Sequence, residues 1–325
     1  MPRRLRPPGC AVGGMAHTGL VTPDARLDWR APHPSELHQT VGSLRRGPGD
    51  PAYLTAPDRS VWRATRMAEG PATMRLSQRG ADEFRCEAWG PGAAAAVASA
   101  PELLGARDDT ARFEPRLPEL VEAHRRNPGF RVPRSGRVLE ALVPAILEQK
   151  VITLQAHDSW RVLLRRFGEA APGPVPRPML VPPSAEGWRM IPSWEWHRAG
   201  VDPQRSRAIV RVAALAERVE EAAGMTPADA LVRLTALPGV GPWTAAEVAQ
   251  RALGDPDAVS VGDYHLANFV GHALEGRDMS DEEMLAALAP WAGQRYRVIR
   301  LLGLAGHRGR PRRGPRMPFV DHRAR

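Results

Sequence analysis

The sequence predicts an α+β chain that is mainly helical, and three observations carry this. Strand-like runs are confined to the stretch that ends at Trp89. Helical spacing of apolar residues dominates from Ala93 onward. Two short helices joined by a glycine-bearing hairpin are followed by an aspartate, Asp263, 20 residues beyond the hairpin's Trp243.

Residues 1–24 are rich in Pro and Gly, lack periodicity, and read as a disordered tail. Residues 25–105 read as a mixed α/β N-terminal domain. Within it Ser60–Arg66, Ala72–Leu76 and Glu83–Trp89 alternate partially, as half-buried strands do. Gly90-Pro91-Gly92 then punctuates the chain, and the alanine run from Ala93 to Val97 is a good helix former. Residues 106–305 read as a helical body. From Arg137 to Phe167 apolar residues recur mostly every three or four positions, with Pro144 expected to begin or kink a helix. Pro172–Pro183 holds six prolines and reads as a loop. Arg205–Ala223 reads as one amphipathic helix with Ile209, Val212, Leu215, Ala216 and Val219 inward. Residues 306–325, with Arg308, Arg310, Arg312, Arg313 and Arg316 among Gly and Pro, read as a basic tail, equally a solubilising or a DNA-contacting segment.

Residues 226–254 are the most specific. Thr226-Pro227-Ala228-Asp229 has the N-cap, first-position proline and early acid of a helix start. Leu231, Leu234 and Leu237 supply an apolar face, and Pro238-Gly239-Val240-Gly241 turns the chain. Pro242 opens a second helix that runs through Trp243, Ala246, Ala249, Gln250 and Leu253 to a Gly254 stop. A helix start with free N–H groups and no Cβ at Gly239 or Gly241 suits a phosphate. Asp263 precedes the periodic run Leu266, Phe269, Val270 and Leu274, so it is expected at a helix N-terminus that favours its anion. By itself that is also an ordinary helix cap.

The run Leu237–Ala245 with Asp263 in Ser260–Tyr264 resembles the helix-hairpin-helix of the DNA glycosylase superfamily. The likeness is nearest to the alkylbase branch, the 3-methyladenine DNA glycosylase II group. Pro128–Pro133, Ala145–Val151 and Leu27-Asp28-Trp29 stand in the order that group shows, so the resemblance extends from about residue 25 to about 310. It implies the helix-hairpin-helix glycosylase fold with a small N-terminal antiparallel sheet domain that leans on the catalytic body without performing chemistry. It also implies that Gly239, Val240, Gly241 and Thr244 bind DNA, and that Gln149-Lys150 supply the wedge filling the gap left by a flipped nucleotide. The backbone carbonyls of Leu237 and Gly239 would hold a monovalent cation; no other cofactor is expected.

Under this resemblance Asp263 is the catalytic residue: an anion beside the sugar stabilises the charge developing at C1′ as the glycosidic bond breaks, and water captures it. A base made cationic by alkylation needs little protonation to leave. Relatives that also cut the abasic strand carry a lysine where this chain has Trp243. A Schiff base needs an amine, so a monofunctional hydrolase is expected. An electron-poor base stacks on aromatic faces, which makes Trp243, Trp194, Trp196, Tyr264 and Trp291 the pocket candidates. The chain departs from the best-known type of the group at Glu247, where that type has an aromatic, and in Gln294–Arg300, which has no second tryptophan.

Composition narrows the classes. The formal charge is +9, and Lys150 is the sole lysine among 45 basic residues. That charge has the sign a phosphate-binding protein needs, although an arginine-rich composition also follows from a G+C-rich genome. Two cysteines, Cys10 and Cys86, cannot build a four-thiolate iron–sulfur cluster, which disfavours the endonuclease III and adenine-glycosylase branches. No apolar run is long enough to span a bilayer and no secretion signal is expected, so the expected setting is cytoplasmic and nucleoid-associated. The expected partner is damaged double-stranded DNA, bound by a monomer, with no membrane. The rival readings are a non-catalytic helix-hairpin-helix protein that binds DNA or senses damage and, more remotely, a basic RNA-associated protein.

Overall fold

The structure, a computed structural model, describes residues 21–308. Residues 1–20 and 309–325, with most of both expected tails and Cys10, lie outside it. The fold is α+β and mainly helical, with one small antiparallel sheet, as the sequence predicts.

Five strands, β1 (Ala25–Arg30), β2 (Tyr53–Thr55), β3 (Val61–Met67), β4 (Gly70–Gln78) and β5 (Glu83–Trp89), form a sheet in the order β1-β5-β4-β3-β2. Leu76 faces both Val61 and Cys86 across its neighbours, in one cross-strand row. Between β1 and β2 lies the short helix α1 (Leu37–Val41). The sheet is buried on both faces, which is why the alternation in the sequence is only partial. Val61, Met74, Leu76 and Cys86 pack under α2 (Ala93–Leu103), whereas Trp62, Ala64 and Trp89 join the core of the helical body. Trp62 and Trp89 stack at 5.4 Å on that inner face. Thr22 and Asp24, expected in the tail, are already bonded to the sheet: the Thr22 carbonyl accepts from Trp89 Nε1, and the Asp24 carboxylate from the Gly90 N–H.

The body continues with α3 (Pro118–Arg126), α4 (Val138–Leu147), α5 (Thr153–Phe167), the two-residue strands β6 (Glu169–Ala170) and β7 (Leu180–Val181), α6 (Ala185–Met190), α7 (Ser193–Arg198), α8 (Pro203–Ala214) and α9 (Ala216–Glu220). After these come α10 (Pro227–Thr235), α11 (Pro242–Val248), α12 (Leu266–Leu274), α13 (Asp281–Leu288) and α14 (Arg295–Leu304). Pro144 sits inside α4 rather than starting it. That helix is the buried axis of the body, with only Glu140 half-buried, and its first N–H groups, on Val138 and Leu139, donate to the Glu220 carboxylate at 2.9 and 3.0 Å. Burial pushes the Glu220 carboxyl up from its ordinary range against these bonds. The proline-rich segment supplies β7, which pairs with β6. The single helix expected over Arg205–Ala223 divides at Leu215, which is 39% exposed rather than inward. Around Phe113, Phe130, Trp291 and Tyr296, α3, α12, α13 and α14 form a second helical core, where the buried Arg297 pairs with the buried Asp108.

Candidate functional site

Two loops and one helix start assemble the site. Thr226 caps α10 by accepting from the Asp229 N–H at 3.2 Å. Leu234 and Leu237 anchor the helix in the core, but Leu231 does not: it is 45% exposed, so the buried stripe is narrower than the leucine spacing implies. The two hairpin glycines serve different ends. Gly239 has φ +91°, and a Cβ there would meet the Ala208 Cβ at 2.8 Å, so it is required by the backbone and by packing against α8. Gly241 caps α11 with φ −96°, and a Cβ on it would meet nothing within 4 Å. That end of α11 is open to an incoming group.

The turn between α4 and α5 lies against the hairpin. Gln149 Nε2 donates to the Gly239 carbonyl at 2.9 Å and to Thr244 Oγ1 at 2.8 Å, with Thr244 itself buried. Lys150, the next residue, is exposed and has φ +54°, a left-handed conformation that a non-glycine side chain seldom adopts.

Asp263 joins the hairpin to α12. Its Oδ1 accepts from the N–H groups of His265 and Leu266 at 2.8 and 3.0 Å, the free donors of the helix start. Its Oδ2 accepts from Trp243 Nε1 at 3.1 Å. Both oxygens are thereby oriented, one by a helix end and the other by the hairpin's second helix.

Beside Asp263 opens a cleft of about 1030 Å³, lined among others by Tyr264, Phe269, Tyr296, Glu247 and Arg251. Glu247 lies in α11, and Arg251 in the wider π-helical turn at Ala249–Leu253 that follows it, closed by Gly254 in the left-handed conformation at φ +70°. Glu247 accepts from Ser260 Oγ at 2.6 Å and pairs with Arg251 at 2.7 Å. Burial by itself would raise the Glu247 carboxyl, but the Arg251 guanidinium, with Ser260 and Arg46, holds it below the usual range. Arg46, between α1 and β2, pairs with Glu148 at 3.3 Å, and Arg251 Nε donates to the Ser43 carbonyl at 3.0 Å. The segment before β2 also reaches the cleft, which Gly42 and Ser43 line.

No family model matches the chain. Over 151 residues, 46% of its length, it is 35% identical to the probable bifunctional transcriptional activator/DNA repair enzyme AlkA of two strains of Mycobacterium tuberculosis. The matched part spans 30% of those relatives' length. Among solved structures, the 3-methyladenine DNA-glycosylase of Archaeoglobus fulgidus superposes with a TM-score of 0.72 at 18% identity, covering 86% of this chain and 98% of that one. The 8-oxoguanine glycosylase/lyase of Clostridium acetobutylicum superposes with a TM-score of 0.67 at 11% identity, covering 86% of this chain and 96% of that one. The chain therefore has the helix-hairpin-helix glycosylase fold.

Within this glycosylase fold the expected site residues separate into three groups. Gly239, Val240, Gly241, Thr244, Gln149, Lys150, Trp243 and Asp263 meet at the hairpin and its two neighbouring loops, although Gln149 is turned onto the hairpin and only Lys150 projects. Tyr264 is the one expected pocket aromatic that lines the cleft, while Trp243 holds the carboxylate. The remaining tryptophans are corrections. Trp196 is 2% exposed in a row of stacked indoles with Trp188 and Trp160, because its helix turns that face to the core. Trp291 is 7% exposed and donates to the Glu114 carbonyl inside the second core. Trp194 is 65% exposed and is not a cleft residue.

Phe269, Tyr296, Arg251 and Ser260 were not singled out for the cleft from sequence. Phe269 was readable only as an apolar residue of α12, and Glu247 only as a departure from the group's pattern. The carbonyls of Leu237 and Gly239, expected to face a monovalent cation, accept from the Val240 N–H at 3.0 Å and from Gln149 at 2.9 Å. Each carbonyl oxygen has a second lone pair. Among the described residues no His, Cys, Asp or Glu cluster suits a metal ion, and no helix is long and apolar enough to cross a membrane.

Proposed function

We propose that the chain is a monofunctional DNA glycosylase that hydrolyses the N-glycosidic bond of alkylated, 3-methyladenine-like bases flipped out of duplex DNA, the first step of base excision repair. The observation that carries the reading is the carboxylate of Asp263, held between Trp243 Nε1 and the start of α12 beside a cleft roomy enough for a flipped base and next to an open hairpin.

The hairpin presents the N-terminus of α11 at Gly241 to a backbone phosphate, where N–H donors and the helix dipole favour an anion. Lys150, exposed at the tip of the turn that Gln149 locks to the hairpin, enters the space the flipped nucleotide leaves. The base enters the cleft against Tyr264, Phe269 and Tyr296. As the bond to C1′ lengthens, positive charge grows on the sugar, and the Asp263 anion, already oriented by three N–H donors, stabilises it without reorganising. Water completes the displacement. Trp243 stands where a strand-cutting relative needs its amine and offers only an indole N–H, so the reaction ends at the abasic site. The protein acts as a cytoplasmic monomer, and no step passes through a cation at Leu237 and Gly239.

The test is a panel of duplexes carrying alkylated, deaminated or oxidised bases, read for abasic product with and without borohydride. Abasic sites from alkylated duplex with little trapped complex are expected. Binding without abasic product on any duplex would favour a damage-sensing role, and efficient trapping coupled to strand cleavage would make the enzyme a lyase.

A further inference from the structure

Helix α8 is the floor on which both DNA-facing loops rest. Near its N-terminal end Arg205, 2% exposed, donates to the Leu147 carbonyl at 2.6 Å, immediately before the Gln149-Lys150 turn. One turn later Ala208 lies under Gly239 of the hairpin. The buried side of α8 is therefore committed to the core and to both loops. Its outer side carries Gln204, Arg207 and Arg211, all exposed. At 100° per residue these three fall on one stripe, directly beside the edge that Ala208 turns to the hairpin.

The two arginines stand apart from most cations of the body. Arg205 is held by Asp202, Arg233 of the hairpin by Glu221, and Arg251 by Glu247. Arg207 and Arg211 form no ion pair or side-chain hydrogen bond with any described residue, despite 36 acids in the chain. Two guanidinium groups one helical turn apart, about 6 Å along the axis, match the reach needed for consecutive phosphates of one strand. Planar guanidinium forks suit phosphate oxygens, and Gln204 adds a neutral donor on the same stripe.

We propose that the Gln204–Arg207–Arg211 stripe of α8 is a second phosphate-binding ridge, which extends the hairpin's grip to the duplex backbone beside it. This rests on the proposed duplex-DNA substrate. The ridge adds affinity and register and carries no lesion preference, because its side chains reach phosphates and not bases. It also explains why α8 is fixed from below by Arg205 and Ala208: a rigid helix holds the two cations at constant offset from the Gly241 end of α11.

The full chain with Arg207→Gln and Arg211→Gln tests it, beside Arg207→Lys/Arg211→Lys and a control that removes two exposed charges from sheet-domain turns, Arg59→Gln/Arg79→Gln. Duplex affinity is titrated against salt, and abasic product is followed under saturating enzyme in single turnover. The double glutamine variant should bind undamaged and alkylated duplex more weakly by the same factor. Its slope of log affinity against log salt should be shallower by about 1.8, from ~0.9 per phosphate contact. The lysine pair and the control should keep the wild-type slope, and single-turnover excision should not change in any variant. An unchanged slope in the glutamine pair, or an equal loss in the control, overturns the ridge while wild-type excision leaves the proposed function standing. A wild-type chain that bound no duplex would overturn both.

Discussion

Trp243 Nε1 donates to Asp263 Oδ2 at 3.1 Å and ties the second helix of the hairpin to the carboxylate that begins α12. Under the proposed function this bond holds the hairpin that would grip a phosphate at a fixed separation from the carboxylate that would face the sugar. Trp243→Phe keeps an aromatic side chain and removes the donor. A hydrogen bond to a charged acceptor contributes about 1.5–3 kcal/mol, so the variant should lose roughly 10- to 100-fold in single-turnover excision rate. Duplex affinity should stay at the wild-type value in a filter or anisotropy titration.

The hairpin glycines should respond differently. Gly239→Val forces a β-branched residue to φ +91° and against Ala208, and should cost on the order of 2 kcal/mol or more in denaturant unfolding. Gly241→Val meets open space at an ordinary φ and should leave stability nearly intact while weakening binding to every duplex alike. Equal effects of the two variants on both measurements would remove the distinction.

Lys150 holds a left-handed backbone at the tip of its turn, a conformation costing about 1–2 kcal/mol for a residue with a side chain. Lys150→Gly should therefore not lower the melting temperature. Lys150→Ala should slow capture of an extrahelical base, read with a fluorescent base analogue, and leave the chemical step at Asp263 unchanged.

Glu247 carries an acid dependence. Its carboxyl is depressed in the folded chain, so the stability it contributes is complete above the ordinary carboxylate value near ~4.3 and is lost as pH falls through the lower, folded value. Glu247→Gln should lower stability at neutral pH and flatten the acid limb of the unfolding profile. Glu247→Ala leaves the half-buried Arg251 without its ion-pair partner and should lower stability further than Glu247→Gln, by less than the loss of a fully buried pair.

The parts of this fold that local chemistry specifies were readable in the sequence. Thr226, Pro227 and Gly254 mark helix ends by capping and by conformational freedom, and Asp263 was placed at a helix start because an apolar period begins three residues later. What failed depends on which neighbour arrives. Trp196 and Trp194 stand two apart on one short helix, and only packing against Trp188 decides that the first is core and the second surface. The break at Leu215 has no glycine or proline to announce it. Arg251 sits in a π turn that helical periodicity does not encode, and Ser43 comes to its side from 208 residues earlier in the chain. The partner of Trp243 was equally hidden, because an indole N–H reaching 20 residues ahead leaves no local signature.

The central claim is that Asp263 stabilises positive charge on a deoxyribose whose base has entered the cleft. Its most direct measurement is single-turnover release of a methylated purine from duplex DNA by the wild-type chain and by Asp263→Asn, with duplex affinity measured in parallel. The account predicts that the wild-type chain leaves an abasic site, and that the variant binds the same duplex equally well but excises more slowly by several orders of magnitude, each ~1.4 kcal/mol being about tenfold. Near-normal excision by Asp263→Asn would contradict it.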